Sequence, residues 1–266
     1  MGIFLEIRTI GLFMRVVALQ SGSNGNCFYV ESGGTRLLFD AGISGVCAQT
    51  RLAYYGISIR DVDALFISHD HTDHVSTAGI FHRKFQIPVW MTEKTHQAAR
   101  HKVGKVADVR YFQAGTAFPF QGVRIETIRT PHDAAEGVCF VVDDGKCRFG
   151  ICTDLGHIFN GLADVVASLD GVLLESNYDP QMLEDGFYPP ELKARVRGKR
   201  GHLSNFDAAE LLEKSGKRLK TVFLGHISEE NNCESLVLET HRHICGRRFP
   251  CELAHRHNVS NMVELS

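Results

Sequence analysis

Short apolar runs separated by turn-forming clusters organise the chain. RVVALQ (15–20), CFYVES (27–32) and TRLLFDAG (35–42) are apolar or alternating and predict strands. SGSNG and SGG punctuate them. A helix is expected over 43–56, closed by Gly56. ALFISHDH (64–71) reads as a buried strand running into a polar turn, and a helix follows over 76–85. IPVWMT (87–92) predicts another strand and 92–101 another helix. The second half opens the same way. VRIETIRTPHD (123–133), GVCFVVDD (137–144) and CRFGICTDLG (147–156) predict strands, followed by a helix over 160–169 and the strand GVLLESN (171–177). A helix over 206–215 precedes a late strand in LKTVFLGHIS (219–228). Strands lead in each half, and acidic residues and histidines stand just past strand ends. That pattern predicts an α/β fold of two face-to-face sheets with helices outside, and a site at the strands' C-terminal edge. The 266 residues are read as one domain with two similar halves, and residues 1–13 as a dispensable extension.

Composition narrows the class. With 44% hydrophobic and 23% charged residues the chain is neither disordered, fibrous nor a disulfide mini-scaffold. The formal net charge of −2 argues against a broad nucleic-acid-coating surface, yet leaves local phosphate chemistry open. The eight cysteines are scattered without a CxxC pair, which favours reduced thiols and a cytoplasmic location. Glu6, Arg8 and Arg15 interrupt the apolar N-terminus, so no signal peptide is expected. No run of 18 apolar residues occurs, so no membrane partner is expected either.

The 14 histidines carry the chemistry. Ser68-His69-Asp70-His71-Thr72-Asp73-His74 packs three imidazoles and two carboxylates into six residues directly after an apolar strand. Such groups are not buried without partners, and together they suit a divalent metal. His69 and His71 project from one side of an extended segment and can grip one ion. Asp73 and His74, carried round a turn, can reach a second. Further ligand-type residues stand past later strands: His132 in TPHD, Asp154 in CTDLG and His226 in LGHIS. Asp40 in LLFDAG suits a supporting carboxylate that accepts a ligand histidine's other N–H. Glu175, Asn177 and Tyr178 follow another strand and are expected along the cleft. The C-terminal His241, His243, Cys245, Cys251, His255 and His257 lack the spacing of a structural zinc site.

LLFDAG, SHDHTDH, TPHD, CTDLG and LGHIS resemble the five ordered motifs of the metallo-β-lactamase fold, over nearly the whole chain from about Arg15. Within that superfamily, SGSNGNCFYVE, ESNYD, YPPELKARV, GHLSN and GHISEENN resemble the YycJ/WalJ branch of metallo-hydrolases and exonucleases. The resemblance implies an αβ/βα four-layer sandwich. It implies that His69, His71 and His132 bind one metal, that Asp73, His74 and His226 bind the second, and that Asp154 bridges both. Zinc is the favoured ion, with manganese or iron accepted by the same donors. Two such ions, about 3.5–4 Å apart, would lower the pKa of a bound water to about 7. The expected chemistry is hydrolysis, with Asp73 orienting the nucleophile.

His202 points to the substrate. It lies in KRGHLSN, 24 residues before His226, and resembles the histidine that precedes the last metal ligand in tRNase Z and in the small phosphodiesterases of the fold. That resemblance implies a phosphate contact and general acid. Ser204 and Asn205 are expected as phosphate or helix-cap donors. KARVRGKR upstream gathers Lys193, Arg195, Arg197, Lys199 and Arg200, of which Arg197, Lys199 and Arg200 are the candidate phosphate contacts. SGSNG, with Asn24 and Asn26, is either a phosphate cradle or a plain turn. His226 follows Asp154 by 72 residues, too few for an inserted clamping domain, so nucleic acid would be held by loops, by the basic run or across a homodimer. The expected function is a bimetal phosphodiesterase acting on DNA. The alternatives are a small-molecule ester, thioester or lactone hydrolase, and a metal-stabilised interaction module with an occluded site.

Overall fold

The computed structural model describes residues 13–266, so the extension expected at 1–13 lies, up to residue 12, outside the described residues. The first half builds β1 (Met14–Gln20), β2 (Cys27–Ser32), β3 (Thr35–Phe39), α1 (Gly45–Tyr54), β4 (Ala64–Phe66), α2 (Thr72–Val75), α3 (Ala78–Phe85), β5 (Val89–Met91), α4 (Glu93–Val103) and β6 (Val109–Tyr111). The second builds β7 (Ala117–Phe120), β8 (Val123–Arg129), β9 (Val138–Asp143), β10 (Arg148–Cys152), α5 (Leu162–Ala167), β11 (Gly171–Glu175), α6 (Pro180–Asp185), α7 (Pro190–Val196), α8 (Asn205–Ser215) and β12 (Thr221–Gly225). The chain closes with α9 (Glu234–Cys245), β13 (Cys251–Leu253) and β14 (Val263–Leu265).

Two seven-stranded sheets result, in the orders β14-β1-β2-β3-β4-β5-β6 and β13-β12-β11-β10-β9-β8-β7. Strand periodicity sorts their side chains. Leu37, Phe39, Ala64 and Phe66 face the second sheet and meet Phe140, Phe149 and Phe223 there. Leu38 and Leu65, one residue out of step, face Leu52 of α1, Phe81 of α3 and Ala99 of α4. On the far side, Val141, Leu174 and Val222 pack on Leu162 of α5, Leu212 of α8 and Val237 of α9. Both faces of each central strand are covered, so these runs are continuously apolar. Each large side chain buried this way contributes about 1.5–3 kcal/mol. The architecture is the expected four-layer αβ/βα sandwich.

Caps and turns move some predicted boundaries. Ser44 caps α1, its hydroxyl accepting from the Cys47 amide at 3.2 Å, so that helix starts at Gly45 rather than 43. The helix expected over 76–85 begins earlier and splits into α2 and α3. Thr77 stands at the break and donates to the carbonyls of Ala41 (2.8 Å) and Ile43 (2.6 Å). Thr92 caps α4.

Strand direction then sets where function can sit. β3, β4 and β5 run parallel, as do β10, β11 and β12. β8 reaches the same direction as β10 through two antiparallel steps. The residues that follow β3, β4, β8, β10, β11 and β12 therefore emerge at strand C-terminal ends, the usual crevice of an open α/β sheet.

Candidate metal centre

Each of those strand ends delivers one part of the site. β3 leads to Asp40, β4 to His69 and His71 and on into α2 with Asp73 and His74, and β8 to His132. β10 leads to Asp154, β11 ends on Glu175, and β12 leads to His226. Asp40, Asp154 and His226 adopt left-handed backbone, with φ of 62°, 56° and 54°. Asp and His are enriched among the few residues that tolerate it. The cost, about 1–3 kcal/mol each, persists only where the surroundings over-determine the conformation.

These residues converge. Ligand atoms of His69, His71 and His132 lie within 4.8 Å of one another, and so do those of Asp73, His74 and His226. His69, His74 and Asp154 form a third such group, and Asp154, Glu175, His202 and His226 a fourth. Asp154 stands between the first two, its Oδ1 3.4 Å from His132 Nε2 and its Oδ2 3.2 Å from His74 Nε2. Asp73 Oδ2 lies 3.3 Å from His74 Nε2 and 3.5 Å from His226 Nε2. Asp70, the motif's other carboxylate, turns away to accept from the Ala135 amide at 2.8 Å.

The donors fit divalent cations. His132 gives its Nδ1 proton to the Gly201 carbonyl (2.9 Å), and His74 gives its Nδ1 proton to Asp40 Oδ2 (2.7 Å). Both rings therefore turn Nε2 inward, the arrangement that oriented metal-binding histidines use. His69 contacts Ser68 Oγ through Nδ1 at 2.9 Å, while its Nε2 is buried without a hydrogen-bond partner, a costly state unless it has another ligand. Burial, with His74 beside it, pushes the His69 imidazole well below its usual range, which keeps it neutral. Burial would also lower His74, but Asp154, Asp73 and Asp40 outweigh it and raise that ring well above its usual value. Burial is likewise overcome at His226, which Asp154, Asp73 and Glu175 push up to about 10. The surplus carboxylate charge that holds those protons would favour a divalent ion in their place.

Asp40 lies against this cluster. Its Oδ1 accepts from the Ser68 amide (2.8 Å) and its Oδ2 from Ser68 Oγ (2.9 Å) as well as His74. Gly42 lets this turn press on α2: a Cβ there would come within 1.7 Å of the Asp73 carbonyl oxygen. Asn26, directly after the SGSNG turn, is buried and bridges to the same place, its Nδ2 3.0 Å from His74 Nε2 and 3.3 Å from Asp73 Oδ2. Asp40→Asn places an amide donor opposite the His74 Nδ1 proton and disfavours the tautomer that frees Nε2. We expect metal affinity to fall about 10–100-fold, measured by competition with a chromogenic chelator. Unchanged affinity would remove Asp40 from the site's support.

His202 joins the group through Glu175. The two lie 2.5 Å apart, Nδ1 to Oε1, with Glu175 fully buried. Burial works to raise the Glu175 carboxyl, but His202 outweighs it and holds that group at about 2. Glu175 Oε2 is fixed by the Leu155 amide at 2.9 Å. With Nδ1 so occupied, His202 keeps Nε2 for the cavity it lines. That cavity, of about 320 Å³, is also lined by His71, Asp73, Asp154, Asn177 and His226, so the centre is open rather than occluded.

Other expectations are redirected. Ser204 is the N-cap of α8 in a capping box with Asp207, and Asn205 is buried against Ser176 Oγ (2.7 Å) and Asn232. The Ser204 hydroxyl is spent on the helix start and the Asn205 amide on Ser176 and Asn232, rather than offered to phosphate. Tyr178 is buried and does not line the cavity; Tyr188 does. Of the basic run, Arg195 reaches the cavity wall, paired with Asp133 at 2.6 Å. Arg197 instead pairs with Glu184 at 3.1 Å, and Lys199 and Arg200 are exposed outside the cavity lining. The C-terminal histidines and cysteines join no ligand group among the described residues, and all eight cysteines are free. No described helix is long and apolar enough to cross a membrane.

Fold and site together define a hydrolase class: the chain belongs to the metallo-beta-lactamase superfamily, whose model matches residues 21–226. That membership implies divalent metal ions. The chain is similar to the exodeoxyribonuclease WalJ of Streptococcus pneumoniae serotype 2 (strain D39), with 38% identity over 226 residues, 82% of this chain and 83% of the relative. It is similar to the exodeoxyribonuclease YycJ of Bacillus anthracis, with 32% identity over 231 residues, 86% of this chain and 87% of the relative. Among solved structures, the metallo-beta-lactamase fold protein YhfI from Bacillus subtilis matches with a TM-score of 0.72 at 16% identity, covering 95% of this chain and 99% of that one. The short form of human tRNase Z matches with a TM-score of 0.60 at 16% identity, covering 81% and 93%. At such identity these two likenesses concern the fold alone.

Proposed function

We propose that this protein is a metal-dependent phosphodiesterase that hydrolyses DNA. The observation that carries the reading is His202, held by the buried Glu175 at the edge of the ligand groups. The similarity to two exodeoxyribonucleases over most of the chain favours DNA as the substrate. His69, His71 and His132 would hold one divalent ion and Asp73, His74 and His226 the second, with Asp154 shared; zinc is favoured, and manganese or iron would suit the same donors. When bound, such ions supply Lewis acidity and an activated water at neutral pH.

The chain's own residues supply the rest. Glu175 accepts the Nδ1 proton of His202 and so fixes which nitrogen faces the substrate. Protonated His202 then donates from Nε2 to the leaving oxygen as general acid. Asp73, in reach of both His74 and His226, orients the attacking water. Arg195 on the cavity wall offers positive charge to a phosphate, tempered by Asp133. α5, β11, α6, α7, α8 and β12 fill the interval between Asp154 and His226, so we read a single domain in which DNA is held by residues at the cavity mouth. A cytoplasmic location belongs to the same reading.

The test is direct. Protein loaded in turn with zinc, manganese and iron is given bis(p-nitrophenyl) phosphate and linear single- and double-stranded DNA with either end blocked. We expect metal-dependent cleavage of both substrate types, and inertness toward both under every metal would sink the reading.

A further inference from the structure

We propose that Phe187 is a stacking platform for an unpaired terminal nucleobase of the DNA that the site takes. This inference rests on the nuclease reading above. Phe187 is 101% exposed, the most open large apolar side chain described. A lone exposed aromatic needs no explanation, but this one sits one residue before Tyr188, which lines the catalytic cavity. A single chain step spans 3.8 Å, so the Phe187 backbone adjoins a residue of the cavity wall.

The loop that shows it is stiff. Pro189 and Pro190 follow the two aromatics, fixing their own φ and restricting Tyr188. On the other side α6 is capped by Asp179, whose Oδ1 accepts from the Gln181 and Met182 amides at 3.0 and 2.9 Å. α6 is tied to the segment after the aromatics by Arg197 to Glu184 (3.1 Å) and by the Lys193 amine to the Glu184 carbonyl. An aromatic ring on a braced support loses little freedom when a partner stacks on it. Bases provide such a partner whatever their sequence, because every base has a π-face. The occupant is a single unpaired base. The cavity's 320 Å³ lies at the low end of small-ligand pockets and has room for one nucleotide. Arg195 on the wall, with Lys199 and Arg200 exposed further out, gives the adjoining phosphates a cationic approach.

The test compares wild type, Phe187→Ala and Phe187→Trp on single-stranded and duplex oligonucleotides with either natural or abasic terminal nucleotides. Phe187→Ala should raise KM for the natural strand about 5- to 100-fold, with metal content unchanged. Phe187→Trp should stay near wild type. Abasic ends should raise the wild-type KM comparably, and the two losses should not add, since ring and base belong to one contact. A wild type that cleaves no DNA overturns the nuclease reading and this inference with it. A wild type that cleaves DNA, with Phe187→Ala unaltered in KM or its loss additive with that of the abasic end, overturns the stacking role alone.

Discussion

Replacing His202 with alanine should lower DNA turnover by about 10²–10⁴-fold, the usual contribution of a positioned general acid, while the protein keeps its metal. His202 is bound to Glu175 rather than to the three-histidine group, so the ions' main donors survive. The loss should fall on kcat. It should be smaller on bis(p-nitrophenyl) phosphate, because a nitrophenolate leaves without needing a proton. Steady-state kinetics on both substrates, with metal analysis of each preparation, check this. Loss of one ion alongside activity would instead make His202 a ligand, as its proximity to Asp154 and His226 allows. An equal loss on both substrates would take the acid role away from it.

Asp154→Asn should be the most damaging substitution in the site. The amide keeps shape and tolerates the left-handed backbone, so the fold should survive. It lacks the charge and the second acceptor that let Asp154 face His132 with one oxygen and His74 with the other. Metal content should fall from two ions per chain to one or fewer, and turnover by on the order of 10⁴-fold, as when one member of a cooperating catalytic set is removed. Inductively coupled plasma mass spectrometry and DNA turnover measure the two effects. Retention of two ions would show that Asp154 is not shared between them.

Much of this was legible because two independent signals agree at the same residues. Each central strand is buried on both faces, so it reads as an unbroken apolar run. An Asp or His stands one to three residues past the ends of β3, β4, β8, β10 and β12, because those strand ends emerge into the crevice. What stayed hidden depends on neighbours far along the chain. β6, β13 and β14 each place a charged residue (Arg110, Glu252, Glu264) in the middle of three, unlike the equally short but wholly apolar β4 and β5, and β7 carries Pro119 at a sheet edge. Ser204 and Asn205 read as phosphate or helix-cap donors because both tasks use the same atoms; Asp207, three residues on, takes up the Ser204 hydroxyl, and distant Asn232 takes up the Asn205 amide. The basic run was read by counting charges, yet Arg195 and Arg197 are partly neutralised by Asp133 and Glu184, which lie elsewhere in sequence. Glu175 was expected along the cleft, but its grip on His202 spans 27 residues and no local pattern announces it.

The left-handed backbone at Asp40, Asp154 and His226 restricts how this centre could be moved to another protein. A designer who grafts only the side chains onto ordinary strand ends would aim them wrongly, because the ligand direction is set by a turn that most residues refuse. The portable unit is the strand end with its reversed turn. Selection for folding alone would already narrow these three positions to Asp, Asn, His or Gly before any catalytic demand is imposed.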